Sequence, residues 1–435
     1  MVVGPFVEVA VVVGLLSGGT LLNRDTSVRL LDMEDDNLPA SHTRTPCSED
    51  GMASSRSPAD DKRTTMAGDT IHIVHGDKRP RTLYFGPWRR TVWTPNTERF
   101  RNRLLSRVLR KFPFLVEAWY WALIYWVYQL ARAVSAVLLI DESVVQAARR
   151  HALQLMRVEE ALAIFVEPAV QRFFLQRRPA VMRGINRLYA FVHIPGTILF
   201  LIVLYYITTT RPQRQMQMQM QQAARRPDAA VHRNRSRDRY RPDLYERRRR
   251  TMAMCNLVAF VLFTAWPVMP PRLLGADHLA GHSEPGPAHG YAFVDTVHAT
   301  ADGAQSVWTT NRFCNQYAAM PSLHFGYAFL IGLTVATLPL DAGDTRRAAR
   351  ARRRLLAVLG GLVYPALIWI AIIATANHFV LVAVVGGIVC LAVWQVSGLL
   401  RNLLPLEDYF LSAVRIHKPS KRPATPSFRA AERVD

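Results

Sequence analysis

Apolar and charged residues occupy separate blocks of this chain instead of mixing along it. A run of about 18 or more nearly uncharged residues is long enough, as a helix, to cross the roughly 30 Å hydrocarbon layer of a bilayer. Leu188–Ile207, Met252–Val268, Leu323–Leu340, Leu355–Ala376 and Phe379–Leu400 reach that length or fall within a residue or two of it. Ala118–Ile140 makes a sixth span. Arg132 interrupts it, but Trp119, Tyr120, Trp121, Tyr125, Trp126 and Tyr128 are the residues favoured where lipid meets water. Val2–Leu22 is weaker, with Pro5, Glu8 and four glycines, and lacks the basic start of a signal peptide, so a frayed N-terminal segment is expected. The pattern predicts an all-α, polytopic membrane protein: a six-transmembrane-helix bundle over residues 112–405, with disordered N- and C-terminal tails. Residues 23–88 are polar, mixed in charge and without sustained period, which makes region 1–111 mostly disordered; 406–435 is expected to be a basic tail.

The blocks between spans set orientation, because Lys and Arg accumulate in short cytoplasmic loops. The loop 209–251 carries Arg211, Arg214, Arg225, Arg226, Arg233, Arg235, Arg237, Arg239, Arg241 and the Arg247–Arg250 run. Arg346, Arg347, Arg350 and Arg352–Arg354 follow the fourth span, and Arg401, Arg415, Lys418 and Lys421 follow the sixth. Pro270–Pro321, by contrast, holds only Arg272 and Arg312 against Asp277, Glu284, Asp295 and Asp302, and is expected to face the lumen or exterior. Six spans with both termini inside satisfy this bias. Residues 141–187 then fall outside; Leu153, Leu155, Met156, Leu162, Ile164 and Phe165 recur at helical spacing there, as in an amphipathic helix lying on the membrane surface.

Composition agrees. Half of the 435 residues are apolar and 20% are charged, with 54 Lys and Arg against 33 Asp and Glu, a formal charge of +21. An ordinary soluble domain and a wholly disordered basic protein are both excluded. The Arg247–Arg250 run abuts a span, where topology alone demands it, so nucleic acid is not an expected partner and anionic lipid headgroups are. Cys47, Cys255, Cys314 and Cys390 lack the spacing of a zinc site or disulfide framework, and the outer-loop His278, His282, His289 and His298 lack metal-ligand spacing. No cofactor is implied. Spans three to six contain no charged side chain, which argues against a transporter or channel.

The topology brings three polar sites to one face. Span three ends before Pro270-Pro271-Arg272, span four begins at Pro321-Ser322-Leu323-His324, and spans five and six meet at Thr375-Ala376-Asn377-His378. A guanidinium holds phosphoryl oxygens, one imidazole can attack phosphorus, and a second can protonate the leaving oxygen. Pro321 suits a first helical position, and Ser322 with the free N–H groups of that turn offers a phosphate cradle. A site at this depth suits a lipid phosphate or phosphodiester. His193, beside Pro195 in span two, reads as a packing residue.

The strings Met269-Pro-Pro-Arg272-Leu-Leu, Phe293-Val-Asp295-Thr, Tyr317-Ala-Ala-Met-Pro-Ser-Leu-His324 and Asn377-His378-Phe resemble the type-2 phosphatidic acid phosphatase superfamily, and within it the inositolphosphotransferase branch that includes fungal inositol phosphorylceramide synthases. The resemblance covers roughly residues 110 to 400. It implies a six-helix membrane domain in the Golgi or ER, a lumenal site, phospholipid or sphingolipid substrates, a nucleophile at His378 assisted by His324, and phosphate held by Arg272 and Ser322. Ala265 and Ile372 stand where the lipid phosphatases carry Lys and Arg, which favours the synthase-like branch. Four residues after His378, where the family places an Asp that orients the imidazole, this chain has Val382. Asp295 and Asn377 are the candidates to orient the ring instead. Without such a group the chain would be a silent member that binds lipid phosphate and does not turn it over.

Overall fold

The computed structural model describes residues 3–28, 64–65, 72–73, 78–138, 142–225, 240–274, 293–297, 316–339 and 347–419. The outer-loop histidines and the arginines between 226 and 239 lie outside the described residues. In chain order the main elements are α1 (Val3–Leu22), β1 (Lys78–Phe85), β2 (Trp88–Pro95), α2 (Leu104–Lys111), α3 (Phe114–Leu138), α4 (Glu142–Ala161), α5 (Glu167–Arg177), α6 (Pro179–Arg187), α7 (His193–Tyr205), α8 (Arg211–Arg225), α9 (Pro242–Ala265), α10 (Leu323–Thr337), α11 (Arg347–Ala374), α12 (Val380–Val396) and α13 (Leu404–Ala413).

Two units divide them, residues 1–22 with 118–398 and residues 23–117 with 399–435. In the larger, α10 packs against α7, α9, α11 and α12. Glycines permit its closest approaches. A Cβ on Gly332 would lie 2.2 Å from the Gly361 carbonyl oxygen, and one on Gly361 would lie 2.5 Å from that of Gly332. At the ends of the helices remote from Arg272 and His378, Arg248 lies over the Trp394 ring at 3.2 Å and Arg249 over Tyr120 at 3.9 Å, tying α9 to α12 and α3. Part of the Arg247–Arg250 run is thereby fixed on aromatic faces by cation–π attraction.

Among the described residues three helical stretches are long and apolar enough to cross a membrane: Pro179–Gln222, Arg347–Ala374 and Val380–Ala413. Leu355, Leu359, Leu362, Val363 and Ile370 on α11, with Val384, Ile388 and Leu391 on α12, are exposed, as lipid-facing side chains are. The other expected spans fall short for visible reasons. α10 is held to fifteen residues between Ser322 and Leu338, and the first half of α9 is the Arg-rich stretch. Val3–Leu22 is a helix packed on α7 where a frayed segment was expected.

Residues 141–187 form α4, α5 and α6 in place of one surface helix, and each buries a face. Ala148, Ala152 and Met156 join Val268, Ala319, Phe379 and Val382 in one core cluster. Met182 and Ile185 join Ile368, Ile372 and Ala383 in another.

The smaller unit corrects the all-α expectation, because it contains strands; residues 29–63 and 420–435, where unstructured flanks were expected, lie outside the described residues. Lys78–Phe85 and Trp88–Pro95 pair antiparallel around Gly86, whose φ is +63°. Thr94 aligns with Arg79 across the ladder, and both Arg79 and Arg81 reach Asp408 of α13. Asp408 is fully buried, and Thr94 Oγ1 donates to it at 2.7 Å. The order comes from polar partners, so a search for apolar periodicity passes over it.

Candidate active site

The turn joining α11 to α12 carries the centre. Thr375–Phe379 reverse the chain, with Ala376 at φ 51°, a left-handed conformation costing a residue with a Cβ about 1–2 kcal/mol. That conformation points the Ala376 carbonyl at the Arg272 N–H, which donates to it at 2.8 Å. Asn377 anchors the same arginine: its Nδ2 donates to Thr375 Oγ1 at 2.9 Å and its Oδ1 accepts from Arg272 Nε at 3.1 Å. Arg272 Nη1 donates to Asp295 at 2.9 Å and Nη2 to Gln316 at 3.4 Å. The guanidinium is buried in a polar cage that still leaves N–H groups on both terminal nitrogens, since it carries five.

A second strip of backbone holds His378. Val268 and Ala318 form a parallel bridge, in which the Val268 N–H donates to the Tyr317 carbonyl at 3.0 Å and the Ala319 N–H to the Val268 carbonyl at 3.1 Å. Ala319 presents its own carbonyl to His378, whose Nδ1 lies 2.8 Å away. A carbonyl only accepts, so Nδ1 carries the hydrogen and the lone pair is left on Nε2. Burial, then the nearby His324 and the Arg272 charge, push the His378 pKa down to about 3 against the pull of the Ala319 carbonyl. The ring is therefore neutral at ordinary pH, in the tautomer a nucleophile needs.

Asp295 and Asn377, the candidates to orient this ring, both bond Arg272. The bond on His378 Nδ1 comes from main chain, the Ala319 carbonyl. Val382, in the expected Asp position, is fully buried in the cluster with Ala319, Ala376 and Phe379.

Ser322 is buried at the start of α10. Its Oγ accepts the Phe325 N–H at 3.3 Å as a helix cap, and its N–H donates to the Val382 carbonyl at 3.3 Å. α12 passes so close that a Cβ on Gly386 would sit 2.4 Å from the Ser322 carbonyl oxygen. His324, two residues on, has its ring centroid 5.8 Å from that of His378. The sequence-predicted residues Arg272, Asp295, Ser322, His324, Asn377 and His378 are thus drawn into one neighbourhood by α10, the α11–α12 turn and the segment after α9.

Five more side chains surround it. Tyr189 stacks on His324 at 4.5 Å and 25°, and His193 lies 5.0 Å from it. His193 Nδ1 and the Tyr364 hydroxyl are 2.9 Å apart. Tyr189 sits in a π-helical turn, Leu188–Val192, immediately before His193; such turns recur at functional sites. The i, i+4 spacing of Tyr189 and His193 was the available signal, and it was outweighed by the apolar run around them. The fourth and fifth, Glu159 and Glu167, bond the first turn of α12. Among the described residues no three His, Cys, Asp or Glu side chains converge on a point able to hold a metal ion.

No curated protein and no solved structure matches the chain. Residues 239–396, which contain Arg272, Ser322, His324 and His378, match the family model of the PAP2 superfamily, whose members are phosphatases or phosphotransferases.

Proposed function

We propose that the chain is an integral membrane lipid phosphotransferase or phosphatase that moves an inositol-phosphate-type headgroup to or from a lipid through a phosphohistidine on His378. The observation that carries this reading is the Ala319 carbonyl on His378 Nδ1 at 2.8 Å. It leaves a neutral imidazole with its Nε2 lone pair unprotonated, without the Asp that Val382 replaces.

In the proposed reaction His378 Nε2 attacks phosphorus, the P–O bond to the leaving group breaks, and His324 supplies the proton that oxygen needs. His324, freed of that proton, then accepts one from the incoming hydroxyl, whose oxygen displaces Nε2 from phosphorus. The acceptor is a lipid or inositol hydroxyl for a transferase and water for a phosphatase. Arg272 neutralises charge developing on the phosphoryl oxygens from its two terminal nitrogens, and the first turn of α10 at Ser322 adds N–H groups. In this reading the site faces the lumen of the Golgi or ER. Membrane phospholipid or sphingolipid is the partner.

The test is trapping. Full-length protein in nanodiscs is incubated with lipid labelled at phosphorus, quenched, and assayed for acid-labile label. Label on wild type that vanishes in His378→Ala supports the enzyme. Wild type that binds lipid phosphate and never acquires label would instead be a silent binding protein.

A further inference from the structure

The first turn of α12, which begins two residues after His378, is capped by two carboxyl groups from distant segments. Glu167 Oε1 accepts the Val380 N–H at 2.8 Å, and Glu159 Oε1 accepts the Leu381 N–H at 2.7 Å. Both side chains are fully buried. The second oxygen of each, Oε2, is also buried and meets no N–H or O–H donor among the described residues. Bonded to adjacent N–H groups of one helical turn, the two carboxyls are brought close together. Two carboxylates repel there, and the contact becomes a bond only when one of them carries a proton.

We propose that Glu159 and Glu167 form an acid pair sharing one proton, and that the single negative charge of this pair, at the helix end beside His378, serves the positioning role of the carboxylate that Val382 replaces. The inference rests on the phosphohistidine reading above. Helix geometry explains why the charge works from this place. The free N–H groups of a first turn carry a partial positive charge that one carboxylate offsets and two would overfill. A nucleophilic imidazole that becomes cationic on bonding phosphorus gains from a nearby anion, while the neutral Ala319 carbonyl fixes only its tautomer. Glu159 and Glu167 also tie α4 and α5 to the turn carrying His378. They are positioning residues and do not touch the reacting atoms.

The same surroundings hold a proton on the pair. Burial, then the Glu167 carboxyl, push the Glu159 pKa up to about 8, against the pull of the Leu381 N–H. The groups acting on Glu159 are thus Glu167 from α5 and the α12 backbone.

The experiment uses full-length protein in nanodiscs and the variants Glu159→Gln, Glu167→Gln and their double. Glutamine keeps an oxygen acceptor for each α12 N–H, so capping survives in all three. Each single variant still holds one carboxylate, and its rate of label incorporation at His378 is expected to fall less than about threefold; the double loses the charge and falls by about tenfold or more, the scale of a partly buried helix-end charge. Thermal midpoints give a readout independent of catalysis. A raised pKa makes stability fall as pH rises towards and through about 8, so the wild-type midpoint drops over that range and Glu159→Gln does not share the drop. Superimposed pH profiles of wild type and Glu159→Gln, or a double variant labelling as fast as the singles, would overturn the proposal. If wild type never labels, the phosphohistidine reading fails, and the melting profiles still decide whether the acid pair exists.

Discussion

Each unit of the molecule buries one aspartate against arginine, and the two pairs are built on different terms. In the larger unit the Arg272 and Asp295 side chains are 6% and 4% exposed, so both charges are withdrawn from water. In the smaller unit Asp408 is 1% exposed, but Arg79 and Arg81 are each 29% exposed and keep part of their solvation. In the first, Asn377 and Gln316 complete the guanidinium; the second sets two cations on one anion, with Thr94 assisting. A pair sealed on both sides gains little net stability, because desolvation consumes most of the Coulomb attraction. Its value lies in holding a guanidinium in one orientation, which a phosphate site needs and a hairpin clamp does not.

The sharpest way to break the comparison is to remove one partner from each. Arg272→Ala takes from the buried Asp295 carboxylate the guanidinium it bonds at 2.9 Å, and a loss of about 3–5 kcal/mol in stability is expected, together with loss of label incorporation. Arg79→Ala leaves Asp408 bonded to Arg81 and Thr94, so the expected loss is about 1 kcal/mol, with incorporation retained. Chemical denaturation of both variants in the same nanodiscs tests this. Equal losses would show that exposure of the arginine does not govern the cost.

Gly386→Ala comes next, because it acts on the site without touching a charge. The added Cβ would meet the Ser322 carbonyl oxygen at 2.4 Å, which is backbone and cannot swing aside. α12 must shift from the start of α10, at about 1–3 kcal/mol for an overpacked contact. His324 and His378 ride on opposite sides of that contact, so labelling is expected to fall more than stability does. Gly332→Ala, which crowds α10 against α11 in the same way but remote from the histidines, is the control: it is expected to cost stability without a labelling loss beyond that of the folded fraction.

How far this site was legible follows from what kind of atom does each task. Arg272, Ser322, His324 and His378 were readable because each is a distinctive side chain at the end of an apolar run, and the runs fix their depth. The orienting group was not readable, because it is the carbonyl of Ala319, and any residue there has one. Val382 looked like a missing part for the same reason. Glu159 and Glu167 were visible only as charges offsetting arginine in a loop; nothing in their local pattern says that they reach residues 213 and 222 positions away. In the fold, long apolar helices were legible and the Lys78–Pro95 hairpin was not, since Arg79, Arg81 and Thr94 order it through Asp408, more than three hundred residues distant.

The smallest expected effect separates the neutral histidine from the acid pair by the sign of its pH dependence. His378 is held neutral down to about pH 3, whereas in the unfolded chain an imidazole takes a proton near 6.5. The unfolded state therefore binds more protons as pH falls below that value, and stability contributed by His378 is full above about 6.5 and lost progressively towards 3. At pH 6 the loss is only about 0.8 kcal/mol, and it grows to about 2 kcal/mol at pH 5. The Glu159 contribution runs the other way, being full below the ordinary carboxylate range and lost as pH rises through about 8. The two slopes overlap between about pH 4.5 and 6.5 and would blur in a single profile, so the measurement is a difference: wild-type stability minus that of His378→Gln from pH 8 down to 5. That difference should shrink on the acid side, because glutamine takes up no proton in either state. A difference that stays flat would mean that His378 is free to charge in the folded protein, and the Ala319 carbonyl would then be holding an imidazolium, with no lone pair on Nε2 to attack phosphorus.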